Sequence, residues 1–117
     1  MKIALAQINT IVGDLEGNVE RSLAAIQNAS LGYPDLVVLP EMAVPGYPPR
    51  DILYDTTFTE SVSEATRDLA RRAKGGPPAV VGTLIPAAHK PPGHPGLYNV
   101  AVLIHDGEVQ QLSLIHI

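Results

Sequence analysis

The sequence predicts an α/β domain, in which short buried strands alternate with amphipathic helices. Three observations support this prediction: apolar runs of strand length, two longer stretches with helical periodicity, and turn-forming residues between them. The predicted order is strand, helix, strand, loop, helix, strand, strand, which indicates an α/β or layered sandwich domain. The 117 residues contain no internal repeat or linker, so we expect one domain.

The first predicted strand covers residues 3–8, a short apolar segment bounded by polar residues. A turn containing Gly13 follows, and the first helix is predicted over residues 15–29. Asp14 is a suitable N-cap because its carboxylate can accept from the unpaired amides of the first turn. The apolar stripe of this helix consists of Leu15, Val19, Leu23 and Ile26.

The second predicted strand covers residues 35–39, and a long loop over residues 41–54 follows it. Residues 57–60 fit a capping box for the second helix. Two glycines and two prolines at residues 75–78 end that helix. The buried stripe of the second helix is predicted to consist of Phe58, Val62, Ala65, Leu69 and Ala73.

The remaining segments predict an antiparallel end to the sheet. Residues 79–83 form the third predicted strand, and a loop rich in proline covers residues 86–96. Residues 97–104 form the fourth strand. Asp106 and Gly107 then predict a tight hairpin turn into residues 108–110.

Composition excludes several classes of function. The net charge of −4 and the aromatic content of 4% argue against nucleic-acid binding. The apolar runs are shorter than the roughly 20 residues of a membrane-spanning helix, so we expect no membrane partner and a cytoplasmic protein. The four histidines lack ligand spacing and carboxylate partners, which predicts no metal site. The absence of cysteine excludes disulfides.

Glu41 is the candidate catalytic residue. It follows the apolar residues 36–39 and Pro40, so a buried strand is predicted to end at a carboxylate, where α/β enzymes place their chemistry. Three further prolines stiffen the loop after it. Partial burial of the Glu41 carboxylate would suit a general base. The alternative is an exposed loop carboxylate without a chemical role.

The chain resembles the amino-terminal part of the carbon–nitrogen hydrolase (nitrilase) superfamily. Within it, the chain is most similar to the glutaminase domain of glutamine-dependent NAD synthetase. The superfamily motif is the apolar run that ends in Pro40-Glu41, and the Gly-Tyr-Pro-Pro run of residues 46–49 points to the NAD synthetases. The other matching positions are residues 2–7, 12–14, 18, 35–39, 51–53, 80–82 and 97–101.

The resemblance implies the N-terminal half of an α-β-β-α sandwich and a Glu-Lys-Cys triad. In that triad Cys attacks the amide carbon, Glu is the general base and Lys stabilises the tetrahedral intermediate. Only Glu41 maps onto it, because the chain lacks cysteine and its lysines, Lys2, Lys74 and Lys90, lie elsewhere. The resemblance also implies that Tyr47, Tyr98 and Asn99 help to bind substrate. A Tyr98–Asn99 pair that merely satisfies the backbone is the alternative for those two residues.

We therefore expect residues 1–111 to be a partial glutaminase domain and residues 112–117 to be a non-native tail. The six tail residues are also the in-frame translation of a sequencing adaptor, although a genuine strand is the alternative.

The resemblance implies that the substrate is glutamine, whose ammonia would amidate nicotinic acid adenine dinucleotide. That step would use ATP and magnesium in a missing synthetase domain, whereas this chain itself would hold no cofactor. The intact protein is expected to be a homo-oligomer, and the chain alone is expected to be inactive. The alternatives are a stand-alone amidase for another small amide and a non-catalytic module with the same fold.

Overall fold

A computed structural model describes residues 1–49, 55–86 and 96–110 in full and the backbone of residues 111–116. The predicted loops over residues 41–54 and 86–96 therefore lie partly outside the described residues. The elements in chain order are β1 (Ile3–Leu5), α1 (Leu15–Ser30), β2 (Leu36–Val38), α2 (Thr56–Arg72), β3 (Ala79–Pro86), β4 (Leu97–His105) and β5 (Glu108–His116). This order confirms the predicted α/β class.

The five strands form one mixed sheet in the order β1-β2-β3-β4-β5. β1, β2 and β3 are parallel, whereas β3, β4 and β5 are antiparallel. The parallel neighbours require crossovers, and α1 and α2 provide them. β2 ends beside Val80, near the start of β3, whereas the end of β3 pairs with the start of β4.

The two helices begin at aspartate caps. Asp14 caps α1 and accepts a hydrogen bond from the Gly17 amide at 3.0 Å, as predicted. The capping box predicted at residues 57–60 is wrong, because Asp55 is the N-cap of α2. Its carboxylate accepts from the amides of Thr57 and Phe58, so the helix begins before the box.

The core lies between the helices and one face of the sheet. The two helices pack against each other, and α2 also packs against β3 and β5. The sheet contributes Val37, Val81 and Val102, which are almost completely buried. The helices contribute Val19, Leu23, Ile26, Val62 and Leu69 to the same cluster. Side chains alternate between the faces of a strand, so neighbouring positions point to the opposite face.

That opposite face is partly uncovered. Ile3 and Leu5 of β1 are 49% and 75% exposed. Val38 and Val80, which follow the buried Val37 and Ala79, are half-buried. No helix in the described parts of the chain is long and apolar enough to cross a membrane.

Several strands end at other residues than predicted, because pairing with the neighbouring strand decides where a strand ends. β1 and β2 are shorter than predicted, since each pairs over three residues. β3 runs on to Pro86 because its pairing with β4 continues to Leu97. The predicted hairpin turn is confirmed, with positive φ at both Asp106 and Gly107. The backbone of β5 extends through His116, and the assignment of residues 112–117 as a non-native tail stays a prediction.

Candidate active site

Glu41 borders a shallow cavity at the carboxyl end of β2, beside the first half of β3 and the neighbouring part of β4. The cavity has a volume of about 320 Å³. It is lined by residues 38–41, Val80, Gly82 and residues 99–101. It opens on the face of the sheet that the helices leave uncovered. A carboxylate at this position can act on a molecule that occupies the cavity.

Asn99 holds the carboxylate of Glu41. The Asn99 side-chain amide donates to Glu41 Oε1 at 2.5 Å, although the two residues lie 58 positions apart in the sequence. Asn99 belongs to β4 and pairs with Leu84 of β3, so the rigid sheet fixes its position. The contact brings together two of the four residues predicted to form the site.

Glu41 is exposed at the surface of the described structure. The buried run before it ends at Leu39, which is 5% exposed, and the chain then turns outward at Pro40. The carboxylate accepts a hydrogen bond from Asn99, and the backbone that carries it packs against Gly82. Residues 41–46 are called the Glu41 turn below.

Gly82 lets the Glu41 turn lie directly on β3. A Cβ atom at Gly82 would lie 2.4 Å from Met42 N, 2.5 Å from Pro40 O and 2.8 Å from Glu41 C. All three are backbone atoms, so no side-chain rotation could make room. The Val44 amide also donates to the Gly82 carbonyl at 3.2 Å. A glycine at this position is therefore required for the backbone that carries Glu41.

Gly46 provides a second close contact, on the other side of the turn. Its φ is +88°, and a Cβ would lie 2.6 Å from Val12 Cα in the loop between β1 and α1. The Gly13 amide donates to the Pro45 carbonyl at 3.0 Å across the same contact. The Glu41 turn is thus packed between β3 and this loop.

The two tyrosines predicted to bind substrate do not line the Glu41 cavity in the described structure. Tyr47 follows the Glu41 turn and is 63% exposed. Tyr98 precedes Asn99 on β4, so its side chain points to the opposite face, where it packs against the core. The contact between Asn99 and Glu41 goes beyond backbone satisfaction, whereas the substrate-binding roles of Tyr47, Tyr98 and Asn99 stay predictions.

Gly82 and Gly46 were not predicted from the sequence as determinants of the site. A glycine inside a strand pattern such as Val80-Val81-Gly82 is a known indication of close backbone approach. The described residues contain no group of three or more potential metal ligands. The sequence has no cysteine, and the Lys2 ammonium is bound to the Gly32 carbonyl, away from the cavity. The Glu41 carboxylate, held by Asn99, can accept a proton from a partner, but the sequence supplies no thiol.

The carbon–nitrogen hydrolase family profile matches residues 2–114 of this sequence. Among characterised proteins, the glutamine-dependent NAD(+) synthetase of Synechocystis sp. is 36% identical over 110 residues. That match covers 93% of this chain and 20% of the synthetase. The corresponding enzyme of Xylella fastidiosa is 37% identical over 112 residues, which are 95% of this chain and 19% of the enzyme. The chain therefore spans about a fifth of the length of these relatives.

Solved structures of an NAD synthetase and of an amidase are also similar to this chain. The glutamine-dependent NAD(+) synthetase of Cytophaga hutchinsonii superposes with a TM-score of 0.78 at 25% identity, over 93% of this chain and 18% of that one. An amidase from Nesterenkonia sp. superposes with a TM-score of 0.68 at 26% identity, over 99% of this chain and 42% of that one. In a glutamate-to-leucine variant of the Nesterenkonia amidase, the acetamide moiety of fluoroacetamide is attached covalently to the active-site cysteine.

Proposed function

We propose that this chain, which belongs to the carbon–nitrogen hydrolase family, is part of a domain that releases ammonia from glutamine. The domain would serve a glutamine-dependent NAD synthetase, and Glu41 would be its general base. The names of the relatives support this assignment, since the similar proteins of Synechocystis and Xylella fastidiosa are such synthetases. Because the chain spans a fifth of their length, the activity belongs to a longer protein that contains it.

The observation that carries the proposal is the fixed carboxylate at the carboxyl end of β2. Asn99 holds Oε1 of Glu41, which leaves Oε2 to take a proton. A charge-assisted hydrogen bond of this kind is roughly twice as strong as a neutral one, so it orients the carboxylate without neutralising it. The cavity beside Glu41 has room for a small amide.

The proposed reaction needs a thiol that lies outside these 117 residues. Glu41 takes the thiol proton, and the thiolate attacks the amide carbon of glutamine. The C–N bond then breaks, the proton passes from Glu41 to the leaving nitrogen, and ammonia departs from a thioester. Glu41 next takes a proton from water, whose oxygen attacks the thioester carbon. The C–S bond then breaks, glutamate leaves, and the proton passes from Glu41 to the sulfur, which restores the thiol. A lysine outside the chain would stabilise the oxyanion of each tetrahedral intermediate.

The ammonia would amidate nicotinic acid adenine dinucleotide in a separate part of the protein. ATP and magnesium would act there, and we assign no ligand for either to residues of this chain. A second candidate function is amide hydrolysis in a stand-alone enzyme. The likeness to the Nesterenkonia amidase favours it, because the chain covers 42% of that shorter protein.

Glutamine labelled with ¹⁵N in its amide group distinguishes the candidates. The longer protein should be incubated with this glutamine, ATP, magnesium and nicotinic acid adenine dinucleotide. The ¹⁵N content of the NAD product should then be measured by mass spectrometry. Transfer of ¹⁵N to NAD is the expected result. Labelled ammonia without NAD synthesis would instead indicate a stand-alone amidase. Absence of glutamine hydrolysis would contradict the glutaminase function. Hydrolysis of another small amide by the same protein would then indicate a stand-alone amidase, and absence of any amide hydrolysis would favour a non-catalytic module.

A further inference from the structure

A buried asparagine in the first turn of α1, Asn18, connects that helix to the Glu41 turn. Asn18 is completely buried, and its side-chain nitrogen donates to the Val44 carbonyl at 2.9 Å. Val44 lies three residues after Glu41. We propose that Asn18 is a positioning residue that fixes the Glu41 turn for proton transfer. This inference rests on the proposed function of Glu41.

The side-chain amide of Asn18 uses its full hydrogen-bonding capacity. Its nitrogen donates to the carbonyls of Val44 and Ile11, the latter at 2.8 Å. Its oxygen accepts from the Ile11 amide and from Arg21 Nη1, each at 2.9 Å. Two donors and two acceptors are the whole inventory of a carboxamide, so no other side chain of this size could replace all four bonds.

These bonds join three segments that are separate in the sequence. Ile11 lies in the loop between β1 and α1, Asn18 lies in α1, and Val44 lies in the Glu41 turn. On its other side the same turn rests on β3, where Gly82 leaves no space. The turn is consequently held from two sides. A change at Asn18 would release one side and leave the sheet intact.

Arg21 and Asp14 support the oxygen side of Asn18. Arg21 Nη2 lies 3.2 Å from Asp14 Oδ2, while Nη1 of the same guanidinium donates to Asn18. Asp14 is also the N-cap of α1. The guanidinium therefore presents its donor in a fixed direction, so the acceptor and donor sides of the Asn18 amide cannot exchange.

Asn18→Asp is the informative variant, because it keeps the size and one acceptor oxygen but removes the nitrogen donor. Its second carboxylate oxygen would face the carbonyls of Ile11 and Val44, which repel it. In the longer protein, we expect glutamine-dependent NAD synthesis to fall by about 10–100-fold, since displacing a catalytic group by about 1 Å can cost 10²-fold. The loss should be in kcat rather than KM for glutamine, and synthesis from added ammonia should stay within about twofold of wild type.

Thr66→Val is the control for a loss of stability that is not specific to the site. Its hydroxyl shares a buried hydrogen bond with Thr83 on the helix side of the sheet, away from the cavity. Thr66→Val should lower Tm as Asn18→Asp does, yet leave the glutamine-dependent rate within about twofold. Hydrogen exchange on the same variants provides a second readout. Asn18→Asp should accelerate exchange of the Gly13, Val44 and Gly46 amides, which the contacts of the Glu41 turn protect.

The outcomes separate this inference from the proposed function. If Glu41→Gln abolishes the glutamine-dependent rate but Asn18→Asp lowers it no more than Thr66→Val does at an equal loss of Tm, the positioning role is wrong. An equal loss with glutamine and ammonia, or unchanged exchange of the three amides, would also overturn it. If Glu41→Gln leaves the glutamine-dependent rate unchanged, the proposed function itself fails.

If Asn18→Asp does not fold, Arg21→Met is the variant that decides, because Arg21 is partly exposed and donates to the side-chain oxygen of Asn18. Retention of the full glutamine-dependent rate in Arg21→Met would then overturn the inference.

Discussion

Substitution of Gly82 by alanine should displace the Glu41 turn. The added Cβ would meet Met42 N at 2.4 Å, whereas ordinary contacts begin at 3.4 Å, so the turn must move by about 1 Å. A displacement of that size can cost about 10²-fold in rate. Overpacking of this kind also costs roughly 1–3 kcal/mol of folding free energy. A 10²-fold loss of rate corresponds to about 2.7 kcal/mol, so Gly82→Ala is expected to impair the reaction at Glu41 and folding by similar free energies.

The assay compares NAD synthesis from glutamine and from ammonia in the longer protein. Gly82→Ala should lower the first rate by about 10²-fold and leave the second near the wild-type value. Gly32→Ala is the matched control, since a Cβ at Gly32 would meet nothing closer than 3.6 Å. Both rates of that control should be normal. A Gly82→Ala variant with a normal glutamine-dependent rate would refute the claim that close contact with β3 positions Glu41.

Three further predictions concern the nucleophile, the open sheet face and Asn99. The 117-residue chain alone should release no ammonia from glutamine because it has no cysteine, and a rate that Glu41→Gln removes would contradict this. The same chain should bind a hydrophobic dye and melt gradually, because Ile3 and Leu5 are exposed, whereas a sharp transition from a monomer would count against this prediction. In the longer protein, Asn99→Leu should slow glutamine-dependent synthesis by tenfold or more, since a hydrogen bond to a charged group contributes roughly 1.5–3 kcal/mol. An unchanged rate would show that this bond is dispensable.

The helices were predictable because their determinants are local. Asp14 and the stripe of Val19, Leu23 and Ile26 lie within one continuous segment, and the structure confirms them. The capping box at residues 57–60 failed because the competing cap, Asp55, lies just upstream and takes the first amides. The strand ends were missed because each end depends on a partner strand elsewhere in the chain.

The location of the site was predictable, but its construction was not. An apolar run that ends in Pro40-Glu41 predicts that Glu41 directly follows a strand, and in the structure Glu41 follows β2 and borders a cavity. The exposure of Glu41 depends on what covers the open face, which local sequence does not encode. The contacts that hold it join residues far apart, Asn99 with Glu41 and Asn18 with Val44. Asn99 was predicted as a site residue from the family resemblance alone.

The central claim is that Glu41 is the base of a glutaminase reaction, and Glu41→Gln in the longer protein tests it most directly. The variant keeps a side chain of the same size and removes the basic oxygen. NAD synthesis from glutamine should fall by about 10²–10⁴-fold, the usual effect of losing a positioned base. Synthesis from added ammonia should stay near normal, because it bypasses Glu41. An equal loss with both nitrogen sources would show that Glu41 is structural, and an unchanged rate with glutamine would remove it from the mechanism.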